Sequence, residues 1–285
     1  MRSVAPIQSV GRHSDPTRHG SATDAGRIAQ ELFNRLTPVS VCAEELRGLD
    51  LAPQMRELVE IIAHATARTV RTARSMARLG GIRLVSRTPC SPNDMVLAME
   101  REFGPLFRAM GIALTIEPDR DSWPAMLDVV QFRDGLAHVM DVAADACSLA
   151  RREAKPAVTV RVQRDGDAQT IVVGSNGDPV PEAAAREAFA SRPAAEPPGG
   201  GTALALFLGR VAIGASGGEL RLNAAAGRVE FEILLNPRTG QLQQGTGLVG
   251  RPEFRVILGS GLVDRSAPRS PSVNAAGPGV LDLAA

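Results

Sequence analysis

The chain has 285 residues, 44% of them hydrophobic and 22% charged, which suffices for a real core and leaves room for two small domains plus tails. A formal net charge of +1 provides no long-range field, so composition gives no case for nucleic acid or an anionic membrane as partner. No apolar run approaches the length that spans a bilayer and the N-terminus lacks the apolar core of a signal peptide, so a cytoplasmic location is expected.

Residues 1–23 mix Ser, His, Arg, Pro and Gly without apolar periodicity and are expected to form a disordered leader. From Asp24, a helix cap by its position, Ile28, Leu32, Leu36, Val39, Ala43 and Leu46 recur at helical spacing. After a break near Gly48 to Pro53, a second helix is carried by Met55, Leu58, Val59, Ile62, Thr66, Thr69, Ala73 and Met76, and Gly80-Gly81 ends it. Two long amphipathic helices on a short connection form an antiparallel hairpin over 24–81. Its exposed apolar stripe is best buried by a second copy, which predicts a homodimer with a four-helix bundle.

The rhythm then changes. A strand is expected at 82–86, a helix from Pro92 to Met110, a strand over Ile112 to Ile116 and a long helix from Val129 to Arg151. Val158 to Val162 and Thr170 to Val173 read as a hairpin turned by Asp165-Gly166. A helix over Thr202 to Ala215 and a last hairpin of Glu219 to Leu222 with Arg228 to Leu235 complete an α+β sandwich over 82–237, with helices on one face of a mainly antiparallel sheet. Residues 238–285 are rich in Gly, Gln, Ser and Pro and are expected to be mostly disordered tail, with one strand candidate at Arg255 to Leu258.

Cys42, Cys90 and Cys147 are scattered, with no close pair to frame zinc or a redox motif, so reduced thiols and no metal site are expected.

Several segments carry motifs. Residues 28–38, Ile-Ala-Gln-Glu-Leu-Phe-Asn-Arg-Leu-Thr-Pro, resemble the phosphoacceptor helix of the sensor histidine kinases, with Gln30 where that family has its histidine. Residues 131–146 are similar to the family's N box, with His138 for the first asparagine and Val142 for the second. Residues 173–181, Val-Gly-Ser-Asn-Gly-Asp-Pro-Val-Pro, look like the adenine-recognising loop, with Ser175 for its aspartate beside Asn176 and Gly177, and Pro179 for its second glycine. Gly199-Gly200-Gly201-Thr202-Ala203-Leu204-Ala205-Leu206 resembles the glycine-rich phosphate segment. These motifs run in the family's order from about Ala25 to Pro237.

The resemblance implies a dimerisation hairpin and an ATPase-like sandwich, with ATP and magnesium as cofactors of an intact member. The substitutions argue against that chemistry. A primary amide such as Gln30 is no nucleophile towards phosphorus. Val142 has no hard oxygen for magnesium, and a neutral imidazole at His138 suits magnesium poorly. Gly199, Gly201 and Thr202 retain backbone donors for phosphate at a helix start, whereas Ala203 and Ala205 add Cβ atoms. No cofactor is therefore assigned.

One part of the motif is intact. In family members that dephosphorylate their partner, an acidic residue beside the histidine and an Asn or Thr three residues on orient the attacking water, and Glu31 and Asn34 keep that spacing. The reading that follows is a degenerate member of two-component signalling, binding a response-regulator receiver or a partner kinase and aiding dephosphorylation of the receiver. The alternatives are an ATP-dependent histidine kinase acting on another chain, or a phosphotransfer protein, which needs a surface histidine. His64 is expected to be a packed histidine of the second helix.

Overall fold

The computed structural model describes residues 17–79, 86–149, 155–166, 168–189, 200–225, 228–235, 255–258 and 280–282. Two long helices come first, α1 (Thr17–Arg47) and α2 (Pro53–Leu79). They pack along one another and are tied near their connection by Arg47, which reaches Glu60 at 2.6 Å as well as Glu44 at 2.6 Å. The first helix starts seven residues before Asp24, so Asp24 lies within it and is not its cap. Nothing between Thr17 and Asp24 obliges a break, because the stretch has no proline and a single glycine is tolerated in a helix at about 1 kcal/mol. Most of the leader, residues 1–16, lies outside the described residues, as do Gly80-Gly81 and all but Ser86 of the strand expected at 82–86.

The sandwich keeps the other expected elements in order and adds two short strands and a short helix that the sequence did not mark. Helix α3 (Pro92–Ala109) starts where Ser91 accepts from the Asp94 amide and Pro92 occupies the first turn. Helix α4 (Val129–Leu149) is reached through the small antiparallel pair β1 (Thr88–Cys90) and β3 (Ala125–Leu127), with β2 (Ala113–Glu117) between them in sequence. Strands β4 (Ala157–Asp165) and β5 (Ala168–Ser175) form the predicted hairpin, turned by Gly166 at φ 58°, a left-handed conformation that favours glycine. After α5 (Glu182–Phe189) and α6 (Gly200–Ser216) comes the second hairpin, β6 (Gly218–Ala225) with β7 (Arg228–Leu235).

The main sheet runs β2-β4-β5-β7-β6 and continues into β8 (Arg255–Leu258) and β9 (Val280–Asp282). Strand β2 lies parallel to β4, and β8 parallel to β6. Sheet pairing thus extends past residue 237, into a stretch that reads as tail. Alternation aims Val158, Val160, Ile171, Val173, Phe231 and Ile233 at the helices, where they meet Phe103, Phe107, Phe132 and Leu206 in one core. Within it α4 and α6 cross so closely that a Cβ on Gly135 would stand 2.8 Å from Ile213 and 3.1 Å from the Gly209 carbonyl.

Candidate functional site

The helix bearing His138 and Val142 is packed on both sides. Its inner face joins the core, with Val142 only 1% exposed. Its other face is covered by α2 along a ladder of polar contacts. On α2 the contributors are His64, Arg68, Arg71, Ser75 and Arg78, spaced 4, 3, 4 and 3 residues apart; on α4 they are Asp134, His138, Asp141 and Asp145, spaced 4, 3 and 4. Each set forms one stripe along its helix.

The rungs run antiparallel. Arg68 embraces Asp145 with two bonds of 2.8 and 2.6 Å, and this pairing holds its guanidinium above its ordinary pKa. His64 Nε2 lies 2.8 Å from one Asp141 oxygen, while Arg71 donates to the other at 2.7 Å and to Glu102 of α3 at 2.7 Å. Glu102 in turn accepts from Arg133 at 2.9 Å. Phe103 supports this knot, meeting the His64 ring edge-on at 5.0 Å and lying 5.7 Å beneath Arg71. Ser75 Oγ and His138 Nε2 are 3.1 Å apart, and Arg78 donates to Asp134 at 2.5 Å.

Burial makes these contacts consequential. Arg71 is 5% exposed, and Asp141 and His138 1% each. Removal from water, reinforced by Arg71 and Arg68 and opposed by Asp141, lowers the His138 pKa to about 4, so the ring is neutral at physiological pH. Its Nδ1 has no hydrogen-bond partner among the described residues. His64 is the packed histidine its position suggested, held by a carboxylate within the stripe.

The other expected site residues fall in two places. In the loop after β5, Ser175 is buried and its Oγ accepts from the Gly177 amide at 3.0 Å, with Cys147 Sγ at 3.3 Å. Asn176 accepts from the Ala157 amide at 2.8 Å and donates to the Lys155 carbonyl at 3.0 Å, pinning the start of β4. Gly177 lies on the backbone of α4, where a Cβ would come within 2.4 Å of the Ala146 carbonyl carbon. Gly199 lies outside the described residues. Gly201 is exposed with open space about it and Thr202 is half-buried, whereas Ala203 and Ala205 join the core, their Cβ atoms surrounded by protein.

The second place is α1, where Gln30, Glu31 and Asn34 all lie exposed. Gln30 donates to Asn34 at 3.4 Å and Glu31 pairs with Arg35 at 2.7 Å, each a one-turn contact on the helix surface. The structure does not bring this turn together with the loop after β5. Arg74 of α2 bridges α1 and α4, lying over Phe33 of α1 at 6.0 Å and 3.8 Å from Asp134 of α4.

Sequence reasoning missed the α2 arginines and Asp134, Asp141 and Glu102. The signal that could have found them is the match in spacing between a basic stripe on one helix and an acidic stripe on another. Among the described residues no cluster of His, Cys, Asp and Glu could hold a metal ion, and no helix is long and apolar enough to cross a membrane.

No protein-family model matches the sequence, and no curated protein matches it. Solved structures do match. Full-length ShkA in complex with AMPPNP shares 17% identity at a TM-score of 0.51, over 76% of this chain and 46% of that one. Histidine kinase ThkA in complex with the response regulator protein TrrA shares 17% at a TM-score of 0.50, over 79% of this chain and 64% of that one. The Acinetobacter baumannii histidine kinase AdeS shares 11% at 0.46, over 73% and 95%. The sandwich is a histidine-kinase-like ATPase fold.

Proposed function

We propose that this chain, built on the histidine-kinase-like ATPase fold, is a degenerate member of two-component signalling: a pseudokinase that docks a receiver domain and aids its dephosphorylation without turning over ATP. The observation that carries this reading is the state of α4. His138 and Val142, which stand where the resemblance puts the nucleotide-contacting asparagines, are both 1% exposed, and His138 is engaged by Ser75 of α2.

ATP with magnesium fits poorly to the residues present. Val142 offers no oxygen, Ser175 accepts from the Gly177 amide of its own loop, and Asn176 spends its side chain on the start of β4. Phosphotransfer would need an accessible histidine, and the two histidines whose side chains are described are covered, His64 with 10% of its side chain exposed and His138 with 1% of the residue. The turn carrying Gln30, Glu31 and Asn34 is open to solvent, as a docking face must be. That ThkA was solved with the response regulator TrrA supports a partner of that class.

The helices of 24–81 act in this reading as a dimerisation hairpin and residues 82–237 as the ATPase-like unit. Ile28, Leu46, Met55, Leu58, Ile62 and Met76 are each between 39% and 59% exposed on a single chain, an apolar stripe that a second copy would cover.

The test pairs two measurements on the purified chain. Magnesium ATP should leave its melting temperature unchanged. A panel of receiver domains phosphorylated with acetyl phosphate should include one whose phosphoryl half-life shortens at stoichiometric chain and returns to its basal value with Asn34→Ala. A nucleotide-linked rise in melting temperature, or unchanged half-lives across the panel, would sink the proposal.

A further inference from the structure

The ladder between α2 and α4 does more than join two helices. It consists wholly of polar side chains, at a spacing where apolar residues usually pack one helix on another. Its centre, Arg71 with Asp141, is out of solvent, and its ends, Arg68 with Asp145 and Arg78 with Asp134, have side chains 10 to 34% exposed. The charges are complementary: the arginines are on α2 and the carboxylates on α3 and α4. Breaking the central rung leaves a buried charge uncompensated, so the centre of the ladder is costly to open, while the partly exposed ends add to its hold.

The placement of this contact matters for α1. The ladder holds the sandwich on α2, and the polar turn of α1 stays exposed. The outer face of α4 is occupied by α2 and is not presented to the exposed turn of α1.

We infer that the α2–α4 ladder is an electrostatic clasp that parks the sandwich on α2 and so keeps the Gln30-Glu31-Asn34 turn open to a partner. The second half rests on the receiver reading; the clasp does not.

The test uses the full chain with spin labels at the exposed native Cys42 of α1 and at Gln163→Cys on the exposed side of β4, diluted in excess unlabelled chain so that only distances within one chain are read. Without nucleotide the distance distribution should be narrow. Arg68→Asp with Arg78→Asp, which sets like charges opposite Asp145 and Asp134, should broaden it, and adding Asp134→Arg with Asp145→Arg should narrow it again. Far-UV ellipticity on each variant confirms that the helices persist. A broad distribution in the native chain, a narrow one after charge reversal, or no recovery in the fourfold variant would each overturn the clasp. No receiver enters the measurement, so a chain that gives these distances yet binds no receiver would lose the functional reading and keep the clasp.

Discussion

Arg71 donates to Asp141, 70 residues on in sequence, across 2.7 Å at a point where both side chains are almost wholly removed from water. A pair so placed adds little relative to a well-packed apolar pair, but losing one member is severe. Asp141→Ala strands the Arg71 guanidinium and removes the partner of His64, and should destabilise the chain by about 3–5 kcal/mol in urea titration. Asp145→Ala acts on a bidentate pair whose side chains are 28% and 34% exposed, and should lose only about 1 kcal/mol.

The neutral state of His138 gives stability a pH dependence. Its folded pKa of about 4 lies below the ordinary value of 6.5, so between those limits the unfolded chain binds the extra proton. This contribution is fully present above about pH 6.5, declines as pH falls, and is gone below about pH 4. At about 1.4 kcal/mol per pKa unit it amounts to about 3 kcal/mol. Denaturation midpoints measured from pH 4 to 7 should therefore rise more steeply for the native chain than for His138→Gln.

The loop after β5 is fixed by contact with backbone. Gly177→Ala brings a Cβ to within 2.4–2.6 Å of the Ala146 carbonyl group and the Cys147 amide, atoms that cannot turn aside. A loss of at least about 1–3 kcal/mol is expected by thermal denaturation.

Asn176→Ala removes the acceptor for the Ala157 amide and the donor to the Lys155 carbonyl, and should cost about 1–3 kcal/mol. If the side chain instead served a nucleotide, the same variant would leave the melting temperature of the free chain unchanged and abolish a nucleotide-induced shift.

The order of the longer elements was legible because each carries a local signature, whereas the short β1, β3 and α5 were not foreseen. Alternation in Val158, Val160 and Val162 marks a strand whichever partner it meets, and Asp165-Gly166 marks its turn. The α2–α4 ladder was not legible because arginines at Arg68, Arg71 and Arg78 on an amphipathic helix read equally well as its solvated face; only the docking of α4 distinguishes the two. Ser175 and Asn176 were recognised as loop residues by motif, yet which groups their side chains satisfy depends on the start of β4 and on α4. The helical start at Thr17 escaped because a stretch without apolar periodicity gives no sign of how far the helix continues towards the N-terminus.

The chain holds one tryptophan and no tyrosine. Trp123 lies under Arg164, whose guanidinium is 4.7 Å from the ring, and its backbone is gripped by Gln169, which accepts from its amide at 3.2 Å and donates to its carbonyl at 2.8 Å. Indole emission therefore reports on the end of the β4–β5 hairpin and is blind to the helical pair, whereas far-UV ellipticity weights the long helices. Melting curves from the two signals, recorded on one sample, separate a chain that unfolds as a single cooperative unit from one whose halves let go in turn.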